Sequence, residues 1–280
     1  MTAASRDAVM YLVRRSEDVH RVQRFLSAYD ARPAGAAHDL LILWKGFAGA
    51  PLPEPLAALV RGRPVCSRFI ADTGFDVDAY WRAARDSTYD RCCFLNSQSE
   101  PLVEGWLAWL FEALEPSRVG LAGATGSFES PYSETARTWR SSLLEGPVWR
   151  RARWAAQVAR SRVHFAPFPN HHVRTTAFAI RVTTLRRVRC APMTAKYEAF
   201  RFESGRHGLT AQVEKMGLEV RVVGRDGATY QPALWPESAT FRSGDQRNLL
   251  VADDHTRLFA ASDDMTKRAL HRAAWGGEGA

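Results

Sequence analysis

The sequence predicts an α/β protein built on a mostly parallel, mixed sheet. In the first half, short apolar runs alternate with stretches of helical periodicity, the order that a parallel sheet with crossover helices requires. The runs are apolar at successive positions, as strands covered on both faces are. A length of 280 residues with 46% hydrophobic residues suits a single domain of two packed lobes.

Residues 9–13 form the first predicted strand. Ser16 caps the next helix, with Glu17 and Asp18 in its first turn and Val19, Val22, Phe25, Leu26 and Tyr29 as its buried stripe. A strand over 38–44 and a short proline-opened helix over 52–60 follow. The pattern continues with a strand over 65–70, a helix over 76–85 and a strand over 92–95. An apolar helix over 102–114 precedes a fifth strand over 119–122. The second half is less regular. Helices are predicted over 133–144, 148–162 and 209–216, the last ended by Gly217, and a strand over 177–182. Alternation over 218–223 predicts a half-buried strand closed by a turn at 224–227. The Gly/Ser-rich stretch 123–130 divides a lobe of residues 1–125 from one of residues 126–280.

No apolar run approaches the roughly 20 residues of a membrane span. The N-terminus lacks the charged-then-apolar order of a secretory leader, and the four cysteines show no paired metal spacing. Adjacent Cys92 and Cys93 read as small core residues, and a reducing cytoplasm is expected. A net charge of +8 attracts phosphates. Nucleic acid is not expected as a partner, because the chain carries no zinc-finger spacing, RNA-recognition aromatic motif or long basic tail.

Six stretches offer chemistry. Asn96-Ser97-Gln98-Ser99 follows a buried strand, where open α/β sheets bind ligands; it is either a sugar- or phosphate-binding loop or a capped connection. Asp72, Asp76 and Asp78 crowd a strand-to-helix turn and suit ribose, a base edge or a cation, or else helix capping. Residues 120–127 form a glycine-rich loop without the Lys-Ser/Thr of a P-loop, better read as a cleft wall. In 167–175, Asn170 and His172 belong to a polar loop and Arg174 can hold phosphate. Glu203, in Phe202-Glu203-Ser204-Gly205 before the helix at Leu209, can act as a base or answer a helix N-terminus. Trp235, Arg242, Asp245, Gln246, Asp253, Asp254 and His255 form a dense polar-aromatic region suited to a sugar.

Together, residues 9–14, Phe94-Leu95-Asn96-Ser97, 123–127, Phe202-Glu203-Ser204-Gly205, and Thr240-Phe241-Arg242 with Gly244-Asp245-Gln246 resemble the GT-A glycosyltransferases, specifically a little-described bacterial glycosyltransferase-like group. The resemblance runs along most of the chain. It implies a Rossmann-like nucleotide-binding half, an acceptor-binding half, and a Glu ahead of a later helix as the acceptor base of inverting members. It also implies an acidic Asp-x-Asp metal motif in the fourth-strand loop. Here that motif reads Asn96-Ser97-Gln98, with no carboxylate before Glu100. Either Mn²⁺ or Mg²⁺ is held by Asp253, Asp254 or His255, or Arg14, Arg174 and Arg242 neutralise the diphosphate.

The expectation is therefore transfer of a sugar from a nucleotide sugar to a saccharide or other hydroxyl acceptor. Glu203 and Arg242 are the catalytic candidates. Arg14, Asp76, Asn96, Ser97, Gln98 and Ser99 are the donor-binding candidates. Gly126, Ser127, Asn170, His172, Arg174, Trp235, Asp245 and Gln246 are the acceptor-binding candidates. The rivals are a nucleotidyl- or phosphoryl-transferase and a catalytically inactive carbohydrate-binding protein. The predicted helix over 148–162 sets Val148, Ala152, Ala155 and Ala159 on one stripe and Arg150, Arg153, Gln157 and Arg160 on another. It is either a solvated helix packing its small residues on the core or a weak anchor on anionic membranes.

Overall fold

A computed structural model describes residues 6–47, 49–142 and 148–277. The last two positions of the helix expected over 133–144 lie outside the described residues. In chain order the first half runs β1 (Asp7–Arg14), α1 (Val19–Ala31), β2 (Asp39–Lys45), α2 (Glu54–Val60), β3 (Val65–Ile70), α3 (Asp76–Ala84), β4 (Arg91–Leu95), β5 (Glu100–Pro101), α4 (Trp106–Glu112) and β6 (Val119–Gly123). The second half continues with β7 (Gly126–Ser127), α5 (Pro131–Ser142), α6 (Val148–His164), β8 (His172–Val173), β9 (Ala177–Arg181), α7 (Val182–Arg187), α8 (Lys196–Ser204) and α9 (Leu209–Lys215). It closes with β10 (Glu219–Val223), β11 (Thr229–Tyr230), β12 (Val251–Ala252), α10 (Asp254–Ala261) and α11 (Asp264–Trp275).

Eight strands form one mixed sheet in the order β11-β10-β6-β9-β4-β1-β2-β3. The strands β4, β1, β2 and β3 are mutually parallel, as are β6 and β10; β9 runs antiparallel between β4 and β6. The sheet draws strands from both sides of the 125/126 boundary. Both faces are covered, and β1 shows why its sequence is apolar throughout. Ala8, Met10 and Leu12 enter one core with Tyr80 and Trp81 of α3, while Val9, Tyr11 and Val13 enter the other with α1 and α4. Tyr11 stacks on Phe25 with ring centroids 3.7 Å apart, pinning α1 to the sheet. Burial pushes the Cys92 thiol up to about 12, as expected of a core residue.

Two boundaries differ from the sequence reading. The N-cap of α1 is Asp18, whose carboxylate accepts from His20 N–H at 2.9 Å. Ser16 instead falls within a turn closed by Glu17 N–H to the Arg14 carbonyl. The helix expected from Leu102 starts only at Trp106, because Leu102 N–H donates to Leu250 and β5 pairs with β12. Gly105, at φ 75°, makes the entry to α4. In α6, Ala152, Ala155 and Ala159 are exposed, so the expected small-residue stripe does not pack on the core. Trp154 and Val158 are half-buried and Ser161 is buried instead, and the Val148 and Arg150 side chains lie outside the described residues. No helix among the described residues is long and apolar enough to cross a membrane.

The carboxyl ends of β1, β4 and β6 and the amino end of β9 share one edge. Tyr11 pairs with Leu95, Leu95 with Ala177, and Gly123 with Phe178. The segments leaving that edge, 96–99, 124–130 and 174–176, are therefore brought together.

Candidate functional site

At this edge lies a cavity of about 760 Å³, whose described lining comes wholly from residues 129–276. The floor is built on Phe241, which is 1% exposed. Arg174 lies over its ring at 4.2 Å and Arg242 at 4.8 Å. Each guanidinium has a carboxylate: Arg174 Nη1 stands 2.8 Å from Asp253 Oδ2, and Arg242 Nη1 stands 2.8 Å from Glu129 Oε1. Arg174 Nη1 also donates to Thr125 Oγ1 at 3.3 Å.

The two arginines are not equally served. Arg242 Nε is buried without a hydrogen-bond partner among the described residues. Burial pulls the Arg242 guanidinium down from its ordinary value, and Glu129 only partly offsets this. The backbone there is also strained: Ala239, Arg242, Asp245 and Gln246 all have positive φ, between 47° and 54°. His271 donates to the Arg242 carbonyl, and Arg242 N–H donates to Gln246, which holds the turn.

Carboxylates and imidazoles complete the wall. Burial acts to raise Glu129, but Arg242, the Ser127 hydroxyl and Arg174 outweigh it and hold the group below the ordinary carboxylate value. Glu203 Oε1 accepts from both the N–H (2.7 Å) and the hydroxyl (2.9 Å) of Thr175, while Oε2 accepts no hydrogen bond among the described residues. Burial lowers His172 despite the nearby Glu203, favouring the neutral ring; its Nδ1–H donates to the Asn170 carbonyl at 2.9 Å. His255 is likewise lowered, by burial and then by Arg174.

Of the residues singled out in the sequence, Glu203, Arg242, His172, Arg174 and His255 line the cavity. Glu203 does so from the last turn of α8 rather than from a helix entry, so it does not answer the N-terminus of α9. Asn96 and Ser99 lie one layer behind the wall. Asn96 Oδ1 accepts from Gln98 N–H and the Ser99 hydroxyl, and that hydroxyl also donates to Thr176. Ser97 takes the Tyr11 hydroxyl on its carbonyl, and its own hydroxyl is buried without a partner among the described residues. Gln98 gives its carbonyl to Arg257. Arg14 and Asp76 bind one another through two contacts, the Nε–Oδ1 one at 2.9 Å.

Six of the acceptor candidates do not line the cavity. Trp235 is fully buried, its indole N–H bound to the Tyr230 carbonyl, so it fills core and offers no sugar platform. Gly126 is the small residue that lets this indole pack: a Cβ there would lie 2.5 Å from it. Gln246 spends its amide on Arg242 N–H and the Thr256 carbonyl. Asp245 points outward, 89% exposed, 3.9 Å from Lys267. Ser127 braces Glu129, and Asn170 donates to the Ser204 and Glu129 carbonyls. Glu129 itself escaped the sequence reading, although it is the only carboxylate in the stretch 123–130.

A divalent cation does not fit Asp253, Asp254 and His255. Asp253 caps α10 through Oδ1 and pairs with Arg174 through Oδ2. Asp254 is shared by Arg21 and Arg257. No three His, Cys, Asp or Glu side chains among the described residues form a metal-binding group. Asp253 and Asp254, expected as candidate metal ligands, are thus arginine counter-ions, and Asp253 is also a helix cap.

No protein-family model and no curated protein matches the chain. Solved structures do. A mannosyltransferase from Pyrobaculum calidifontis, in complex with GDP-Man and Mn²⁺, is 12% identical with a TM-score of 0.48, covering 85% of this chain and 61% of its own. Glucosyl-3-phosphoglycerate synthase from Mycobacterium tuberculosis, in complex with Mn²⁺, UDP and glucosyl-3-phosphoglycerate, is 14% identical with a TM-score of 0.40, covering 68% and 61%. A CMP:2-keto-3-deoxy-manno-octonic acid synthetase complexed with CTP is 12% identical with a TM-score of 0.42, covering 78% and 89%. The chain thus spans about 61% of the length of that mannosyltransferase and of that synthase.

Proposed function

We propose that the chain transfers a glycosyl group from a nucleotide sugar to a hydroxyl acceptor within this cavity. The observation that carries the reading is the buried pair of guanidiniums on Phe241, with Arg242 under-compensated by its own carboxylate. A cavity with that floor favours a further anion, and about 760 Å³ is a size that ligand sites commonly have. The acceptor oxygen attacks the anomeric carbon while its proton passes to Glu203 Oε2. The bond to the diphosphate oxygen breaks, and the nucleoside diphosphate leaves with the electron pair, stabilised by Arg174 and Arg242. A single displacement of this kind inverts the anomeric centre.

On this reading the nucleoside end lies towards Arg14 and Asp76 at the carboxyl end of β1, and the Asn96–Ser99 turn supports the donor through Thr176. Arg153 and Arg160, exposed on α6, give weak, salt-sensitive affinity for anionic membranes, where a lipid-linked acceptor would lie. A thermal-shift screen of UDP-, GDP-, TDP- and CMP-sugars tests the binding step. A donor at 100 times its dissociation constant stabilises the wild type by about 2.7 kcal/mol, and Arg242→Met loses that gain. If no sugar nucleotide stabilises the wild type, the reading fails.

A further inference from the structure

A second concave feature lies across α8 from the cavity. Phe200, Glu203 and Ser204 face the cavity, whereas Glu198, Arg201 and Phe202 face a trench. The trench consists of two adjoining hollows of about 140 and 590 Å³ that share Arg189, Ala191 and His207. Its charge is one-sided. Arg187, Arg189, Arg201 and Lys215 line it, and none forms a salt bridge among the described residues. The single carboxylate among the described lining residues, Glu198, is committed to the backbone N–H groups of Thr194 and Ala195. The neighbouring Glu214 belongs to His171, 2.7 Å away.

The trench is also framed. Gln212 accepts from Arg189 N–H at 2.8 Å and donates to the Arg189 carbonyl at 3.0 Å and the His207 carbonyl at 2.9 Å. One amide thereby fixes the two segments that carry the charges. His164 is lowered from its ordinary value, by burial and then by Arg201, Arg160 and His207, as a positive field requires.

We propose that this trench binds a multiply charged phosphate from solution, such as a pyrophosphate or a phosphorylated small molecule. Uncompensated guanidinium and ammonium groups converging on a concavity are the chemistry that holds such an anion. The exposed large apolar side chains, Trp149, Val163, Phe168 and Phe200 among them, all lie outside the trench lining. It therefore offers nothing to insert into a bilayer, which separates this site from a lipid-docking surface. The proposal does not depend on the transferase reading.

Calorimetric titration with sodium pyrophosphate tests it, using wild type, Arg187→Ala/Arg189→Ala/Lys215→Ala and, for the cavity, Arg242→Met. The three trench side chains are exposed, so the triple variant should melt like wild type. Its pyrophosphate affinity should fall by about ten-fold or more, the wild-type affinity should weaken with rising salt, and Arg242→Met should keep trench binding. Wild-type affinity in the triple variant, loss of all binding in Arg242→Met, or binding to phosphatidylglycerol vesicles but not to free pyrophosphate would each overturn the proposal.

Discussion

Glu203 divides its carboxylate between two tasks. Oε1 fastens Thr175 to the wall, and Oε2, which accepts no hydrogen bond among the described residues, is the oxygen to which the proposed mechanism gives the acceptor proton. Glu203→Gln retains an amide oxygen for Thr175 but removes the proposed base. Turnover should fall by about 10²-fold or more, with donor binding and melting temperature nearly unchanged; near-normal turnover in the folded variant would remove Glu203 from the mechanism. Arg174 tests the floor differently. Its partner Asp253 has a side chain only 3% exposed. Arg174→Met strands that carboxylate and should cost about 3–5 kcal/mol at neutral pH. Burial raises Asp253, but Arg174 and the Thr256 N–H outweigh it, so its native value lies below the ordinary 3.8. The pair's stabilisation is therefore present above pH 3.8 and lost as pH falls through the native value. Denaturant melts should show the variant's deficit narrowing with acid; a deficit near zero at neutral pH would show that the pair contributes little.

At the scale of elements, the strands β1, β2, β4 and β6 were legible because each is apolar on both sides, a pattern set by local sequence alone; β3, an edge strand exposed over Cys66–Phe69, carries a weaker form of it. The β5–β12 pairing was not. It joins residues some 150 positions apart in the sequence, and nothing in Glu100-Pro101 announces Val251-Ala252. The same holds for the cavity. Arg174, Arg242, His172 and Glu203 were legible as candidate chemistry, and so was Asp253, though as a metal ligand; Glu129 and the pairing of each arginine with its carboxylate were not, because those pairings are made by packing. Trp235 misled for a related reason: an aromatic among polar residues reads the same whether it faces a sugar or a glycine. Gly126→Ala decides this point. The added methyl would meet the buried indole, so the variant should lose about 1–3 kcal/mol by overpacking; a variant as stable as wild type would mean that the β7 region yields freely and Trp235 is not locked in core.

At the scale of the whole molecule, one sheet spans both halves and gathers its polar connections on a single edge. The first half supplies most of the scaffold, with Arg14, Asp76 and the Asn96–Ser99 turn at its rim; the second supplies every described residue lining the cavity. On the proposed reading, this cavity cleaves a nucleotide sugar between its anomeric carbon and its diphosphate. The most direct measurement is mass-spectrometric identification of the nucleotide product when wild type and Arg242→Met are incubated with a sugar nucleotide that stabilises the wild type and a hydroxyl acceptor. Nucleoside diphosphate from a nucleoside-diphosphate sugar, released by the wild type and reduced at least 10²-fold in the variant, is the predicted result. Nucleoside monophosphate from that same donor, equal release by both proteins, or a bound donor left intact across an acceptor panel would contradict it.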